Sequence, residues 1–397
     1  MATPDDGCLS LLINAELFSP EPQGRRHLLV AGGRVVWIGD QVPVLDPRLG
    51  VETRDLAGRR VIPGLIDAHV HLTGGGGEAG YETRVPPVPL SRFTLGGITT
   101  VVGVLGTDDL TRSPAELVAT ARGLSALGLS AFCHTGGYHV PPATVTGTVR
   151  GDIVHLDPVL GVGELALSDH RSSQPTLDQL LQVAAEAHVA GLMTGKAGLV
   201  HLHMGDGPRG LELVRRAVTE SELPARVFHP THVNRRRALF EEALQLVPLG
   251  VTIDVTAFPV APDEDAWSAA DSLVRYWKAG LPAECITVSS DGGGCLPVFD
   301  RDGRVAAMDV GDPGALARTV QELLGRGLGL EQILPPFTSN VARVLRLGRK
   351  GRIAAGADAD LVVLDHEGRI RDVMANGRWH VEDGSAVIRG TFEEAGR

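Results

Sequence analysis

The sequence predicts an α/β fold, a (β/α)8 TIM-like barrel with a small β-sandwich domain built from both termini. Eight apolar, strand-like runs recur through the middle of the chain, and several are separated by segments of helical periodicity. Short strand-like pieces with turns between them stand at both ends. Eight strand–helix alternations over about 290 residues are what such a barrel requires. A doubly wound open sheet is the alternative, but the GxGxxG turn that follows its first strand is missing.

Residues 1–60 and 349–397 are predicted to form the small β-domain together. The first segment contains "LSLLINAELF", "HLLVAGGRVVWIGD" and "TRDLAGRRVI", and the last contains "GRIAAGADADLVVLD", "IRDVMANGRWHVEDG" and "SAVIRGTF". Strand signals bounded by Gly, Asn and Asp turns are typical of short antiparallel strands. Because the two segments look alike and flank the barrel pattern, we expect them to assemble into one domain.

Residues 61–348 are predicted to form the barrel. Its strand-like runs are, in order, "VIPGLIDAHVHL", "GITTVVGVLG", "LSAFCHTGGYHV", "VLGVGELALSD", "LVHLHMGD", "ARVFHPTHV", "VTIDVTAF" and "CITVSSDGGG". The helical segments between them include "SPAELVATARGLSALG", "TLDQLLQVAAEAHVAGLM", "PRGLELVRRAVTES" and "RALFEEALQLVPLG". Apolar residues recur in these segments with the helical period, which predicts that they cover the outside of the barrel.

Charge and composition narrow the class of protein. The formal net charge of −11 argues against nucleic acid and an anionic membrane surface as partners. No window is apolar enough to span a membrane, and the first residues lack the basic and apolar regions of a signal peptide. Four cysteines are widely spaced without a CxxC pair, which is typical of reduced thiols. We therefore expect a cytoplasmic enzyme.

The stretch "HVHLTGGGGEAG", residues 69–80, places two histidines two positions apart, followed by four glycines. Because it follows an apolar run, His69 and His71 are expected at the end of a strand, where residues i and i+2 face the same side. Two imidazoles aimed at one point indicate a metal, and the glycines indicate a close approach to the backbone. The simpler interpretation is a polar strand end that runs into a flexible turn.

Further candidate metal ligands stand at the other predicted strand ends, where the chemistry of such barrels gathers. Glu164 lies in the fourth strand and His203 near the end of the fifth, while His232 and Asp291 close the sixth and eighth. Four imidazoles and two carboxylates hold one or two divalent ions, and we predict zinc, with cobalt or manganese as alternatives. Five further histidines are taken as structural or surface residues: His27, His155, His188, His201 and His229.

These residues together resemble the amidohydrolase superfamily, through "GLIDAHVHL", the histidines closing strands five and six, the aspartate closing strand eight and the split β-domain. Within it, "HLTGGGGEAG", "VVGVLGTD", "GGYHVP", "SDHRSS", "HMGD", "PTHVNR" and "SSDGGG" closely resemble the isoaspartyl (β-aspartyl) dipeptidases. The resemblance runs over nearly the whole chain. It implies a metallo-dipeptidase that hydrolyses the isopeptide bond of small β-aspartyl dipeptides. We also expect a homo-oligomer.

The resemblance also implies roles for residues that contact the substrate. Glu78 resembles the family residue that meets the α-ammonium group, and Arg171 and Arg235 resemble arginines that bind carboxylates through bidentate hydrogen bonds. Tyr138 resembles the residue that polarises the scissile carbonyl and stabilises the oxyanion. Thr107 resembles a further substrate contact. Without the resemblance, both arginines would be interpreted as surface ion pairs and Tyr138 as a packed loop aromatic.

The mechanism implied by the resemblance is metal-assisted hydrolysis, in which a water activated by the metal attacks the carbonyl. Asp291 takes the proton of the water and later delivers it to the leaving amine. Catalysis by a nucleophilic serine or cysteine is the rival mechanism. The chain has no GxSxG motif, and Cys295 lacks an assigned base, so this rival is not favoured.

Two positions depart from the family pattern. The dipeptidases usually carry in the fourth strand a carboxylated lysine that bridges two metals, whereas this chain has Glu164 there, and Lys196 lies in a later loop. Glutamate keeps both oxygens but is shorter by roughly 3 to 4 Å at standard bond lengths. Either the metals lie closer to this strand or one site is weaker. At the second position, Cys295 replaces a small hydroxyl residue that contacts the carboxylate end of the substrate, and a thiol is a weaker hydrogen-bond donor.

Two other functions remain as alternatives. The first is an amidohydrolase that acts on another small acidic amide, such as an N-acyl amino acid or a cyclic imide or ureide. An N-acyl substrate would have no free ammonium group for Glu78 to meet. The second is a metal-free, non-catalytic scaffold, which predicts that ligand residues have been lost. The residues that argue against loss are His69, His71, His203, His232 and Asp291.

Overall fold

The N-terminal segment folds into five short strands in the computed structural model, which describes residues 9–299 and 305–394. They are β1 (Ser10–Phe18), β2 (Pro22–Ala31), β3 (Arg34–Gly39), β4 (Glu52–Asp55) and β5 (Arg60–Pro63). Between β2 and β3, Gly32 and Gly33 have φ angles of 54° and 74°. A two-residue hairpin turn with positive φ at both positions suits glycine, which has no Cβ to clash.

Eight strands follow at the eight apolar runs of the middle segment, as the sequence predicts. They are β6 (Leu65–Val70), β7 (Ile98–Gly103), β8 (Ser130–Thr135), β9 (Val159–Leu167), β10 (Val200–Met204), β11 (Phe228–Thr231), β12 (Ile253–Thr256) and β13 (Ile286–Ser289). β6 to β11 form one parallel sheet in which neighbours along the chain are neighbours in the sheet, and β12 and β13 form a parallel pair.

The parallel sheet curls as in half a barrel, and two contacts extend it. Hydroxyl groups of Thr231 in β11 and Thr287 in β13 each donate to Asp254 in β12, which ties the sheet to the following pair. Beyond β13, Gly292 forms a parallel bridge with Val70 at the end of β6. The strands at the two ends of the middle segment therefore lie next to each other.

Ten α-helices lie within residues 9–299 and 305–394. They are α1 (Leu90–Leu95), α2 (Pro114–Ala126), α3 (Val149–His155), α4 (Leu177–Thr194), α5 (Glu212–Thr219), α6 (Arg237–Leu244), α7 (Ala269–Lys278), α8 (Ala315–Gly325), α9 (Leu330–Ile333) and α10 (Ser339–Val344). The four helical segments predicted from periodicity are α2, α4, α5 and α6. Ser113 caps α2 and Thr176 caps α4, because each side chain accepts a backbone N–H of the first turn.

Short 3₁₀ helices connect several of these elements. They are Pro47–Leu49, Tyr81–Thr83, Ala225–Val227, Val233–Arg235, Val247–Leu249, Ala283–Cys285 and Pro335–Phe337. A hairpin that the sequence analysis did not predict follows β13 and consists of β14 (Cys295–Phe299) and β15 (Val305–Val310).

The C-terminal segment returns to the strands of the N-terminal segment. Its strands are β16 (Leu361–Leu364), β17 (Ile370–Ala375), β18 (Arg378–Glu382) and β19 (Ser385–Ala386). All nine terminal strands form one sheet in the order β19-β18-β17-β16-β5-β1-β2-β3, with β4 paired to β1. β5 joins the two halves, since it runs parallel to β1 and antiparallel to β16. The outermost residues assigned to this region, 1–8 and 395–397, lie outside the described residues.

Three apolar clusters are buried among the described residues. The largest packs the parallel strands against the helices, with Val101 of β7, Leu117 of α2 and Leu180 of α4 fully buried. A second lies against the terminal sheet and includes Leu12 and Leu361. A third joins the parallel strands to α10 and includes Val102 and Val341. Within the described ranges, no helix combines the length and the apolar character needed to cross a membrane.

Candidate metal centre and substrate pocket

Six predicted ligands lie at the C-terminal ends of the parallel strands, and the structure brings them together. They are His69 in β6, His71 just after β6, Glu164 in β9, His203 in β10, His232 just after β11 and Asp291 two residues after β13. All six side chains are buried. Parallel strands end at one edge of the sheet, so residues far apart in the sequence meet there.

Two of these residues have backbone conformations that are uncommon outside glycine. His232 has a φ of 61° and Asp291 a φ of 54°. The left-handed region costs a side chain with Cβ about 1 to 2 kcal/mol, and such residues cluster where function requires a fixed direction. His232 follows β11 directly and Asp291 comes two residues after β13, so each turn redirects a side chain towards the other ligands.

Glu164 lies at the centre of the imidazoles and contacts two groups of them. Its Oε1 is 3.4 Å from Nε2 of His71, and its Oε2 is 3.0 Å from Nδ1 of His203. Oε2 also lies 3.5 Å from Nε2 of both His69 and His232. One carboxylate therefore contacts all four imidazoles, with Oε1 directed to His71 and Oε2 to the other three.

The arrangement fits divalent metal ions. Three groups of buried residues have ligand atoms that all lie within 4.8 Å of one another: His69, His71 and Glu164; Glu164, His203 and His232; and His69, His232 and Asp291. Nε2 of His69 and Oδ1 of Asp291 are buried and have no hydrogen-bond partner. A buried lone pair and a buried carboxylate oxygen are costly to leave unsatisfied, and a cation between them would satisfy both. Imidazole and carboxylate ligands suit zinc and related metals.

Burial and neighbouring charges shift the pKa values of the candidate ligands in opposite directions. Burial lowers the pKa of His71, but Asp291 and Glu164 outweigh burial and raise it to about 9. Burial would raise the pKa of Glu164, but the charges of His69 and His203 hold it well below its usual value. Burial lowers the pKa of His232 to about 4. Metal binding therefore competes with protons on the ligands and releases them.

A cavity of about 470 Å³ opens above the ligands. The six residues that the resemblance assigned to the substrate or to the scissile carbonyl all line it: Glu78, Thr107, Tyr138, Arg171, Arg235 and Cys295. Five of the six candidate metal ligands line it as well, whereas His69 lies behind them and is fully buried. The volume is that of a site for a small molecule.

Glu78 lies in the wall of the cavity, and only one of its two carboxylate oxygens has hydrogen-bond partners. Its Oε1 accepts hydrogen bonds from the Thr107 hydroxyl at 3.1 Å and from Nη1 of Arg171 at 3.4 Å. Its Oε2 is buried without a hydrogen-bond partner. The glutamate therefore has one oxygen free to accept from a ligand.

At the glycine run beside Glu78 another group approaches the backbone closely, as expected, and that group is the return segment of the same loop. Gly74 and Gly76 have φ angles of 80° and 77°. A Cβ on Gly74 would lie 1.9 Å from the carbonyl oxygen of Val85, and one on Gly76 would lie 2.5 Å from that of Thr83. The glycines thus allow the loop to pack against its own return segment, and this packing fixes the position of Glu78.

Arg171 forms a buried ion pair with Asp169, a residue that the sequence analysis did not single out. Nη2 and Nε of Arg171 lie 2.8 Å and 3.0 Å from the two carboxylate oxygens of Asp169. The same carboxylate is 3.1 Å from Nε2 of His203. Burial opposes ionisation of Asp169, but His203 and Arg171 hold its pKa well below the usual range. The sequence did contain a signal for this ion pair, because Asp169 is the acidic residue of the "SDHR" motif that also contains Arg171.

Arg235 and Tyr138 contact the same histidine from other directions. Nη1 of Arg235 donates to the Met204 carbonyl at 2.8 Å and lies 3.2 Å from Nε2 of His203. The Tyr138 hydroxyl is 2.9 Å from Nδ1 of His203. Burial raises the pKa of Tyr138 well above its usual value, so the phenol keeps its proton and remains a hydrogen-bond donor.

Cys295 lies in the cavity wall, whereas Lys196 lies away from the ligands. Burial raises the pKa of the Cys295 thiol to about 11, so this residue is a neutral thiol at physiological pH and a poor nucleophile. Nζ of Lys196 donates to the carbonyls of Ile153 and Leu156, just before β9 begins. Lys196 therefore lies at the opposite end of that strand from the ligands, as expected for a poor substitute.

Comparisons with known proteins agree with this geometry. A model of the amidohydrolase family matches residues 60–380. The structure of a β-aspartyl dipeptidase from Fervidobacterium islandicum AW-1, in complex with a β-Asp-Leu dipeptide, is 42% identical to this chain with a TM-score of 0.89. The match covers 95% of this chain and 98% of the other. A second structure of that dipeptidase is 40% identical with a TM-score of 0.86, over the same shares of the two chains.

A curated protein matched by sequence has a different activity. An imidazolonepropionase from Ruegeria sp. (strain TM1040) is 25% identical, and the match covers 89% of this chain and 92% of that protein. The family is therefore clear, whereas its members differ in the substrate they use.

Proposed function

Because this chain belongs to the amidohydrolase family, as an isoaspartyl-dipeptidase-like hydrolase, we propose that it cleaves the isopeptide bond of β-aspartyl dipeptides with the help of divalent metal ions. The observation that carries the proposal is the buried, unpartnered Oε2 of Glu78 in the wall of the cavity. A β-aspartyl residue carries a free α-ammonium group, which would satisfy this oxygen. The similarity to a dipeptidase solved with β-Asp-Leu supports the same substrate class.

The proposed metal is zinc, with one or two ions per chain and cobalt or manganese as substitutes. The ligands would be His69, His71, Glu164, His203, His232 and Asp291. When bound, such ions lower the pKa of water at the site and polarise the carbonyl group. Glu164 would bind metal through its carboxylate, since its two oxygens together contact all four imidazoles.

The reaction then requires a base, an acid and a donor to the carbonyl oxygen. Asp291 would take a proton from the attacking water while the water oxygen bonds to the carbonyl carbon. It would then deliver that proton to the leaving nitrogen as the C–N bond breaks. Tyr138 would donate its hydroxyl proton in a hydrogen bond to the carbonyl oxygen as negative charge develops there. The hydroxyl would have to turn from His203, its present partner at 2.9 Å.

The remaining residues would orient the dipeptide. Glu78 would bind the α-ammonium group, with Thr107 holding its other oxygen. Arg171 and Arg235 would bind the two carboxylates, because guanidinium groups donate in pairs to carboxylates. Cys295 lies at the cavity wall on the hairpin after β13 and would contact the leaving residue.

The test combines metal analysis with a panel of substrates. Protein purified without added metal would be analysed for zinc, cobalt and manganese and assayed on β-Asp-Leu, α-Asp-Leu, N-acetyl-leucine and a cyclic ureide. We expect bound metal and turnover of β-Asp-Leu alone. Turnover of N-acetyl-leucine or the ureide without β-Asp-Leu would favour the other amidohydrolase function. A protein with no metal and no turnover would favour the non-catalytic scaffold.

We also propose a closed barrel, a separate terminal β-domain and a homo-oligomer. The bridge between Val70 and Gly292 supports closure of the eight strands into a full (β/α)8 barrel over residues 61–348. Residues 1–60 and 349–397 would form a separate β-sandwich domain, although β5 extends its hydrogen bonds to Pro63. A homo-oligomer in the cytoplasm remains our expectation, and light scattering of the purified protein would measure the oligomeric state.

A further inference from the structure

We propose that a buried chain of hydrogen bonds behind the metal centre fixes the tautomer and orientation of His69 and thereby strengthens metal binding. This relay consists of His69, His201, His229, Thr287 and Asp254. The inference rests on the proposed metal site, but its residues beyond His69 are not metal ligands in that proposal. It assigns a function to His201 and His229, which the sequence alone left as structural residues.

The contacts of the relay are continuous. Nδ1 of His69 lies 2.8 Å from Nε2 of His201, and Nδ1 of His201 lies 3.0 Å from Nδ1 of His229. Nε2 of His229 lies 3.1 Å from Oγ1 of Thr287. The Thr287 hydroxyl donates to Oδ1 of Asp254 at 2.6 Å. All five side chains are 2% exposed or less, so water does not compete for these bonds.

The direction of the protons follows from the carboxylate at the end. Asp254 only accepts, so Thr287 donates to it and its oxygen accepts from Nε2–H of His229. A neutral imidazole has one N–H and one lone pair. Nδ1 of His229 is then an acceptor, and His201 must donate to it from its own Nδ1.

The tautomer of His69 follows from that of His201. Because Nδ1 of His201 carries the hydrogen, its Nε2 is a lone pair that accepts from Nδ1–H of His69. The lone pair of His69 is left on Nε2, the atom that lies 3.5 Å from Glu164 and 3.4 Å from Asp291. A relay in the opposite direction would put a hydrogen on Nε2 and block metal binding.

The far end of the relay is held in place independently. Asp254 also accepts hydrogen bonds at its Oδ2 from Thr231 and Ser289, both at 2.6 Å. Asp254 is therefore fixed by hydrogen bonds from the strands on either side of it, β11 and β13. Groups of this kind, which hold the second nitrogen of a ligand histidine, typically change metal affinity 10- to 100-fold when they are mutated.

The test uses two substitutions of the same kind on the same carboxylate. Thr287→Val removes the hydroxyl inside the relay, and Thr231→Val removes a hydroxyl that binds Asp254 outside it. Thr287→Ser keeps the hydroxyl. Zinc affinity of the full chain would be measured by competition with a chromophoric chelator. The ligand geometry of the cobalt-loaded protein would be followed by its visible absorption spectrum. We expect Thr287→Val to weaken zinc binding by at least about tenfold and to change the cobalt spectrum. Thr287→Ser and Thr231→Val should stay within about threefold of the wild type.

A second pair of variants tests the link beside the ligand. His201→Gln keeps an acceptor for Nδ1–H of His69, whereas His201→Leu removes it. We expect the leucine variant to bind zinc at least about tenfold more weakly than the glutamine variant. Equal zinc affinities within this pair, or equal losses in Thr287→Val and Thr231→Val, would overturn the relay while leaving the proposed function intact. A wild-type chain that binds no metal would overturn both.

Discussion

Glu164 carries its negative charge without carbon dioxide, because the neighbouring histidines hold its pKa well below the usual value. Metal loading should therefore not depend on bicarbonate, unlike in a relative with a carboxylated lysine. Glu164→Gln keeps the shape and removes the charge, so we expect it to lower metal content and turnover together. The wild type should hold between one and two metals per chain, rising when zinc or cobalt is added.

The measurement is reconstitution of the apoprotein in carbon-dioxide-stripped buffer, with and without bicarbonate, followed by metal analysis and an assay. Lys196→Gln is a matched control, since Lys196 bonds to backbone carbonyls at the far end of β9. It should keep its metal. Full activity of Glu164→Gln, or a bicarbonate requirement of the wild type, would contradict the assignment of Glu164 as a ligand.

Glu78 is the residue on which the substrate assignment depends. Glu78→Gln removes the charge that meets the α-ammonium group but keeps a group that Thr107 can bond to. We expect a raised KM for β-Asp-Leu and a lowered kcat/KM, because a misplaced isopeptide loses alignment with the attacking water. Metal content should not change. Steady-state kinetics would measure both constants. Unchanged KM and kcat/KM would contradict the assignment of Glu78 as a substrate-binding residue.

Asp291 is expected to combine two roles, as ligand and as proton acceptor. Asp291→Asn should preserve the fold and lower turnover by about 10² to 10⁴-fold, the range for a lost general base. The decrease in rate at low pH should flatten in the variant. A pH–rate profile would measure both effects. If more than about a tenth of the activity remained, the base would be another group, with Glu164 the nearest carboxylate to consider.

Some features of single residues could be predicted from the sequence, and others could not. The convergence of the six side chains was predictable, because the carboxyl ends of parallel strands meet at one edge of a barrel sheet. Their role as metal ligands stays a prediction. Asp169 was missed because an acidic residue next to a polar motif looks like an ordinary surface group, yet it is buried and bonds Arg171. His201 and His203 lie two residues apart in β10 and face the same side of the strand. They differ in depth, since His201 bonds to His69 and His229 behind the ligands, whereas His203 contacts Glu164.

Among the elements, the glycine loop before α1 offers a direct test of backbone requirement. Gly74→Ala would place a Cβ 1.9 Å from the Val85 carbonyl oxygen at a φ of 80°. We expect a loss of stability of about 1 to 2 kcal/mol or more and a raised KM, because the loop carries Glu78. Gly123→Ala is the control, since nothing lies within 4 Å of a Cβ there and the residue lies inside α2. The control should gain about 0.5 to 1 kcal/mol, and chemical denaturation would measure both. Equal effects would contradict the packing argument.

All eight middle strands were predictable because buried parallel strands are continuous apolar runs bounded by turns. The hairpin of β14 and β15 was not, because "CLPVF" contains a proline and follows three glycines. Proline inside a run argues against a central strand, and an isolated edge hairpin gives little periodic signal. The strands that carry the ligands were thus easier to recognise than the segment that shapes the outer wall of the pocket.

For the whole molecule, metal removal should lower thermal stability. Ligand binding to the folded state alone stabilises by about 2.7 kcal/mol at a hundred times the dissociation constant. In a chain of this size that corresponds to a Tm change of about 3 °C or more. Differential scanning calorimetry before and after chelation, and again after zinc is restored, would measure it. Glu164→Gln should show a smaller difference, and an unchanged Tm in protein shown to have lost its metal would contradict the prediction.

The terminal sheet has a consequence for synthesis on the ribosome. β5 pairs with β16, which is translated about 300 residues later. At roughly 5 to 20 residues per second, one edge of β5 waits about 15 to 60 s for its partner strand. During that interval the nascent chain exposes unpaired backbone and the apolar face that includes Val61, which are features that attract chaperones and promote aggregation. Emergence of the C-terminal strands, rather than of the segment that carries the candidate metal ligands, is then the event that completes this sheet.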